Sequence, residues 1–313
     1  DPKLAMAFSN RCGAYNRKGT HDRAIGDCDE AIRLDPKYAL AFLNRGNAYD
    51  AKGDAGRAIA DYTEVIRLDP NNATAFVNRG NTRLRRGDLA QAMADYDQAI
   101  RLDPNRANAY AGRGDVHHAK DDLDPAIADY SHAIRLNPNY VAALVVRCMA
   151  YHSKGSREHS RRVQEQALED CTQAIRIDPR QTNAYNNRGL VLLALDQADA
   201  AIADFDEALR LEPRHVMALV NRCNAHWRKG SYNRAIADCS EALRLDPKDA
   251  KALANRGNAY SWNRQYALAI DDYTQAIRLD PALALAFAGR GVAYTELGQL
   301  DRAMTDLSEA IRL

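Results

Sequence analysis

The sequence predicts an all-α protein made of nine tandem helical hairpins, and three observations predict it. An acidic residue or asparagine followed by proline recurs at Pro2, Pro36, Pro70, Pro104, Pro138, Pro179, Pro213, Pro247 and Pro281, in steps of 34 residues with a single step of 41. A fixed period of this length marks a repeat architecture. Between successive prolines the apolar residues follow a helical spacing twice over, with a break between the two runs. Apart from Pro125, which lies inside a repeat, every proline falls on the period. The repeats 1–34, 35–68, 69–102, 103–136, 137–177, 178–211, 212–245, 246–279 and 280–313 fill the 313 residues. One solenoid over 1–313, with no separate domains, is therefore expected.

The second repeat shows how each element follows. Ala41, Phe42, Arg45, Ala48 and Tyr49 return at three- and four-residue steps, the spacing of one helical face. Gly53 and Asp54 interrupt it. Ala58, Ile59, Tyr62, Val65 and Ile66 then restart the same spacing. Asp69-Pro70 ends the second helix, because proline disfavours helix in the residue before it and suits the first turn of the next.

Bulk properties narrow the classes of function. Lys plus Arg is 43 and Asp plus Glu is 42, a net charge of +1. Nucleic-acid binders usually carry a strong basic excess, so no nucleic-acid partner is expected. No apolar run approaches the roughly 18 residues of a membrane span. No signal peptide is visible, but the chain starts at Asp1 and not at Met, so its true start is expected to have been removed and the compartment stays open.

The repeats resemble the tetratricopeptide repeat family over the whole chain. Counting Ala39 as position 1, Phe42, Gly46, Tyr49, Ala58, Tyr62 and Pro70 fall on the family's positions 4, 8, 11, 20, 24 and 32, with Val65 replacing Ala at 27. The resemblance implies a right-handed superhelical α–α solenoid. Its first helices would line a concave groove and its second helices would form the outer face, each hairpin burying its apolar side only against its neighbours. One departure is position 7, usually Leu in the family and Arg here in all nine units, from Arg11 and Arg45 to Arg290. Position 23 is Asp in every unit. In an antiparallel helix pair the two positions sit level, which predicts an Arg–Asp ladder that orients the helices. A guanidinium row offered to a ligand is the alternative.

The six cysteines, Cys12, Cys28, Cys148, Cys171, Cys223 and Cys239, fall at positions 8 and 24 of the first, fifth and seventh units, never one without the other. Two couplings fit. A disulfide could join the two helices of one unit. Alternatively, two mid-sized thiols could replace the Gly and aromatic pair of other units, such as Gly46 with Tyr62 or Gly189 with Phe205. Gly291 with Leu307 suggests that a void is tolerated. Disulfides would imply a periplasmic or secreted setting, and free thiols the cytoplasm. No CxxC or matched histidine accompanies the cysteines, so no metal is expected.

The fifth unit has seven extra residues, about two helical turns, so a lengthened helix is expected there. Arg157, His159, Arg161 and Arg162 make its tip basic, which suits either solvation or docking of an acidic partner.

The family resemblance places positions 2, 5, 6, 9, 12 and 13 on the concave side. Asn10, Asn44, Asn78, Asn187, Asn221 and Asn255 stand at position 6, and Asn47, Asn81, Asn224 and Asn258 at position 9. An amide offers an acceptor and two donors, which suits the backbone of an extended peptide. The row resembles the asparagine ladders in the repeat domains of O-linked N-acetylglucosamine transferases and kinesin light chains. Bonding between neighbouring helices is the plainer use of the amides. In the middle Gly112 and Val146 interrupt the row, and Val145, Met149, Leu190, Leu193, Val220, Trp227 and Trp262 add apolar surface. A groove polar at both ends and apolar at its centre is predicted, with Trp227 and Trp262 either anchoring a partner or packing between units. The carboxylate clamp of chaperone-binding relatives is not expected, because no unit has a basic residue at position 5 or 6.

No phosphate loop or nucleophile elbow is present, and His117 and His226 occupy the tyrosine slot at position 11. No catalytic residue and no cofactor are expected. The expected function is a non-catalytic protein–protein interaction scaffold that binds an extended partner segment in its groove. The alternative is the recognition or regulatory arm of a larger enzyme, such as a protease or glycosyltransferase. The last helix leaves Met304, Leu307 and Ile311 in need of cover, from further chain or from self-association with another copy.

Overall fold

The computed structural model describes residues 2–313. Among these are eighteen α-helices and no strand, in two compact units, Asp1–Ala150 and Tyr151–Leu313. In the first unit the helices are α1 (Pro2–Arg17), α2 (His21–Leu34), α3 (Ala39–Ala51), α4 (Ala55–Leu68), α5 (Ala73–Arg86), α6 (Leu89–Leu102), α7 (Ala107–Ala119), α8 (Leu123–Leu136) and most of α9 (Val141–Arg157). The second holds the end of α9 and α10 (Arg161–Ile177), α11 (Thr182–Ala194), α12 (Ala198–Leu211), α13 (Val216–Arg228), α14 (Tyr232–Leu245), α15 (Ala250–Trp262), α16 (Tyr266–Leu279), α17 (Ala284–Glu296) and α18 (Leu300–Arg312).

Within each unit the odd-numbered helix of a hairpin packs on its even-numbered partner, and that partner packs on the next odd helix. Odd helices also touch one another, α1 on α3 and α13 on α15 for example, whereas no even helix reaches the next even helix among the described residues of either unit. Each stack therefore curves with its first helices on the inside.

The hairpin turn explains itself residue by residue. Position 15 adopts positive φ in eight units, at Gly19, Gly53, Gly87, Asp121, Asp196, Gly230, Arg264 and Gly298, and in the fifth the insertion moves the turn to His159. Left-handed backbone is the usual end of a helix and costs non-glycine residues about 1–2 kcal/mol. Pro125 sits in the first turn of α8, where its missing N–H has no helical partner to lose. The seven inserted residues lengthen both helices of their hairpin, α9 and α10 to 17 residues each, where α3 and α4 have 13 and 14. The expectation of one lengthened helix thus divides between two.

The core is built from small residues. Ala at position 20 is fully buried in units one to eight, from Ala24 to Ala269, which lets the two helices of a hairpin approach closely. Into that gap the aromatic at position 24 inserts: Tyr62, Tyr96, Tyr130, Phe205 and Tyr273 are each at most 1% exposed. Glycine at position 8 receives it. A Cβ on Gly46 would stand 2.7 Å from Tyr62 Cε1, and one on Gly189 2.5 Å from Phe205 Cε1. The supposed void in the last unit is filled, since Leu307 Cγ lies 2.8 Å from where a Gly291 Cβ would be.

Candidate functional site

The cysteines settle between their two readings. Cys12 bonds Cys28 and Cys223 bonds Cys239, each pair 5.6 Å apart at Cα and fully buried, and no described cysteine is a free thiol. The disulfide occupies the place that the glycine–tyrosine pair takes elsewhere, so bonding and volume exchange operate together.

The Arg–Asp ladder also forms. Arg11, Arg45, Arg79, Arg113, Arg188, Arg222, Arg256 and Arg290 each grip the position-23 aspartate of their own unit through Nε and Nη2. A further partner was not legible beforehand. Nη1 donates to position 25 of the preceding unit, where Asp29, Thr63, Asp97, Ser131, Asp206, Ser240 and Thr274 accept. One guanidinium thus ties three helices, a geometry that arginine's planar fork provides and leucine cannot. Apart from Nη1 of Arg11 and Arg188, which have no such partner, these donors are spent inside the stack. Burial holds the Asp61 carboxyl above the usual aspartate range despite its bond to Arg45. The pair is therefore better read as a device that fixes helix geometry than as a source of net stability.

Position 9 has a rule of its own. The hydroxyl of Tyr62 donates to Asn47 Oδ1 at 2.9 Å, Tyr96 to Asn81 at 2.7 Å, Tyr130 to Asp115 at 2.8 Å and Tyr273 to Asn258 at 2.7 Å. Where position 24 lacks a hydroxyl, position 9 loses its polar group: Leu190 accompanies Phe205, Val292 accompanies Leu307, and Gly13 and Met149 accompany cysteine. Asn224, beside Cys239, breaks the rule and makes no hydrogen bond to the protein. This pairing of positions 9 and 24 was readable in the sequence.

The position-6 asparagines lie where first helices meet. Asn44 Nδ2 donates to Ser9 O at 3.1 Å, Asn78 Nδ2 to Asn47 Oδ1 at 3.0 Å and Asn221 Nδ2 to Asn186 Oδ1 at 2.9 Å. Asn187 is buried and accepts from Asn186 at 3.3 Å, while Asn10 is exposed. Asn10 and Asn255 make no hydrogen bond through their side chains. The amides therefore serve helix–helix bonding first. Oδ1 of Asn44, Asn78 and Asn221 and Nδ2 of Asn47, Asn81 and Asn258 remain unbonded. The glycines at position 6 have a cause: a Cβ on Gly112 would meet Tyr96 Cε1 at 2.4 Å, and one on Gly289 would meet Tyr273 Cζ at 2.5 Å.

The apolar surface lies elsewhere than expected. Val145, Leu193 and Val220 are buried, and Val146 and Met149 are half-buried, so these residues serve mainly packing. Trp227 is half-buried against the cluster of Cys223, Cys239, Ala235 and Ala259. Trp262, however, is 63% exposed, Leu285 73% and Val292 50%. With Trp227, Asn258, Tyr266 and Tyr273 they line a pocket of about 590 Å³ on the inner side of α13, α15 and α17. In the second unit the apolar part of the first-helix face is thus at its last hairpins.

Among the described residues no helix is long and apolar enough to cross a membrane. Profiles described as TPR repeat match residues 46–87 and 80–121, and profiles described as Tetratricopeptide repeat match 107–140, 186–250, 250–283 and 285–313. No curated protein matches the sequence. Among solved structures, the anaphase-promoting-complex assembly Cut9–Hcn1 superposes with a TM-score of 0.71 at 17% identity, covering 92% of this chain and 55% of that one. A tetratricopeptide repeat protein from Parabacteroides merdae gives 0.62 at 17% identity, covering 82% and 98%, and pilF of Pseudomonas aeruginosa gives 0.59 at 19%, covering 72% and 96%. At these identities the likeness is one of fold. Helix count, hairpin geometry and sequence profiles agree, and the chain belongs to the tetratricopeptide repeat family, whose stacked hairpins are scaffolds for protein interaction.

Proposed function

We propose that the chain holds an extended segment of a partner protein along its first helices, with the segment's main chain gripped by asparagines. The observation that carries this reading is the set of half-used amides. Asn44, Asn78 and Asn221 keep a bare oxygen, Asn47, Asn81 and Asn258 keep a bare NH2, and Asn224 and Asn255 keep both, on the face where first helices meet. An extended backbone presents N–H and C=O groups that match both kinds. Fully buried disulfides suit an oxidising compartment, where such a partner would be met. Leu300, Met304 and Ile311 on α18 are 59%, 68% and 86% exposed. They form the apolar row through which self-association would run.

Asn224→Ala combined with Asn255→Ala tests the reading against peptides selected from a displayed random library. Both side chains are unbonded, so the fold should survive, and binding should weaken by about tenfold, the equivalent of roughly 1.4 kcal/mol. Unchanged affinity would remove the asparagine grip.

A further inference from the structure

We propose that the pocket on α13, α15 and α17 is an anchor site for one bulky apolar side chain of the partner segment, with an acidic residue beside it. The proposal rests on the groove reading above and names the chemistry that this groove selects.

The pocket is large enough for an aromatic or leucine side chain, and its exposed apolar walls, Trp262, Leu285 and Val292, have no packing role that accounts for them. Contiguous exposed apolar surface of this kind marks an interaction site. Trp262 is held in place by Tyr232, whose ring lies 6.3 Å away and 21° from parallel. Trp227 forms another wall, and its buried Nε1 has no acceptor in the protein.

Charge sets the neighbour of the anchor. Arg264 lines the pocket at the α15–α16 turn and has no ion pair. Glu296, the acid of the lining, accepts from the Tyr266 hydroxyl at 3.2 Å, which holds its carboxylate against α16 and leaves Arg264 as the lining's one cation. Arg264 also holds positive φ, at 59°, at a position where five units use glycine. Asn258, already bonded by the Tyr273 hydroxyl, brings its free amide NH2 to the lining.

A phage-displayed library of random dodecapeptides, selected on the full oxidised chain, tests the proposal. Enriched peptides should carry Trp, Tyr, Phe or Leu with Asp or Glu within two residues. They should bind Trp262→Ala and Leu285→Ala at least tenfold more weakly. Arg264→Asn, which tolerates the same backbone, should weaken them severalfold at low salt and less at high salt. Enrichment without an acidic neighbour, or affinity indifferent to Trp262→Ala and Leu285→Ala, overturns the proposal. If those same peptides are lost on Asn224→Ala with Asn255→Ala, the groove reading survives that failure. If they bind every variant alike, or if nothing is enriched, both fall.

Discussion

At the scale of single residues, the molecule turns on what fills the space between the two helices of a hairpin. Glycine at position 8 is fixed by contact and not by backbone conformation. Gly189→Ala should therefore destabilise by about 1–3 kcal/mol, the usual cost of overpacking, read from chemical denaturation. Gly26, in the middle of α2 with nothing within 4 Å of its would-be Cβ, should behave oppositely. Gly26→Ala should stabilise by about 0.5–1 kcal/mol. Asp115 makes a second prediction. Burial raises its carboxyl above the usual range, and the Tyr130 hydroxyl offsets only part of this. The folded state thus holds the proton more tightly than the unfolded one. That contribution to stability is full below the ordinary aspartate value of about 4 and is lost as pH rises through the raised one. At neutral pH the charged group is a liability. Asp115→Asn, which copies Asn47 and Asn81, should stabilise by roughly 0.5–2 kcal/mol at pH 7 and by little at pH 3.

At the scale of the hairpin, the arginine at position 7 takes the place of a packing residue. Asp61 is 7% exposed at its side chain and Arg45 is 20% exposed. Arg45→Leu restores the family's usual residue but strands a buried carboxylate, and should cost about 3 kcal/mol. Arg45→Leu with Asp61→Leu should recover most of that loss, and a double-mutant cycle in urea reads both. The elements were legible because proline, glycine and apolar spacing are local signals. The Arg–Asp pair was legible because two positions never vary. The third partner at position 25 was not, because Asp, Ser and Thr share it and its contact crosses from one hairpin to the next. The role of the asparagines was half legible. Their placement on first helices follows from the repeat, and their bonds to tyrosine hydroxyls show in the sequence as the missed pairing of positions 9 and 24. Trp262 was read as groove surface with its use left open, whereas Leu285 and Val292 were missed, since exposure on the first-helix face is set by neighbours and not by position number.

At the scale of the whole chain, disulfides lock hairpins that would otherwise lean only on their neighbours. Cys12–Cys28 and Cys223–Cys239 each span 16 residues, a loop whose closure contributes roughly 3 kcal/mol. Protein unfolded in reductant and refolded reduced should melt well below the oxidised form. Thiol counting on denatured protein from its native compartment should find none free, and six would contradict the bonded state. The pH response has a second component. Burial depresses His226, which lies 3.8 Å from Asp238. Its neutral form supports folding above the ordinary histidine value of about 6.5, and that support is lost as pH falls through the depressed one. His226→Tyr should flatten the melting curve between pH 7 and pH 5.

Above the single chain, the account makes the first helices the recognition surface and the second helices a support. Hydrogen–deuterium exchange with and without a library-selected peptide tests this most directly. Slowed exchange concentrated in α13, α15 and α17 and in the first half of α16, whose Tyr266 and Tyr273 line the pocket, with α14 and α18 unchanged, is the predicted result. Slowing confined to the even-numbered helices would contradict it.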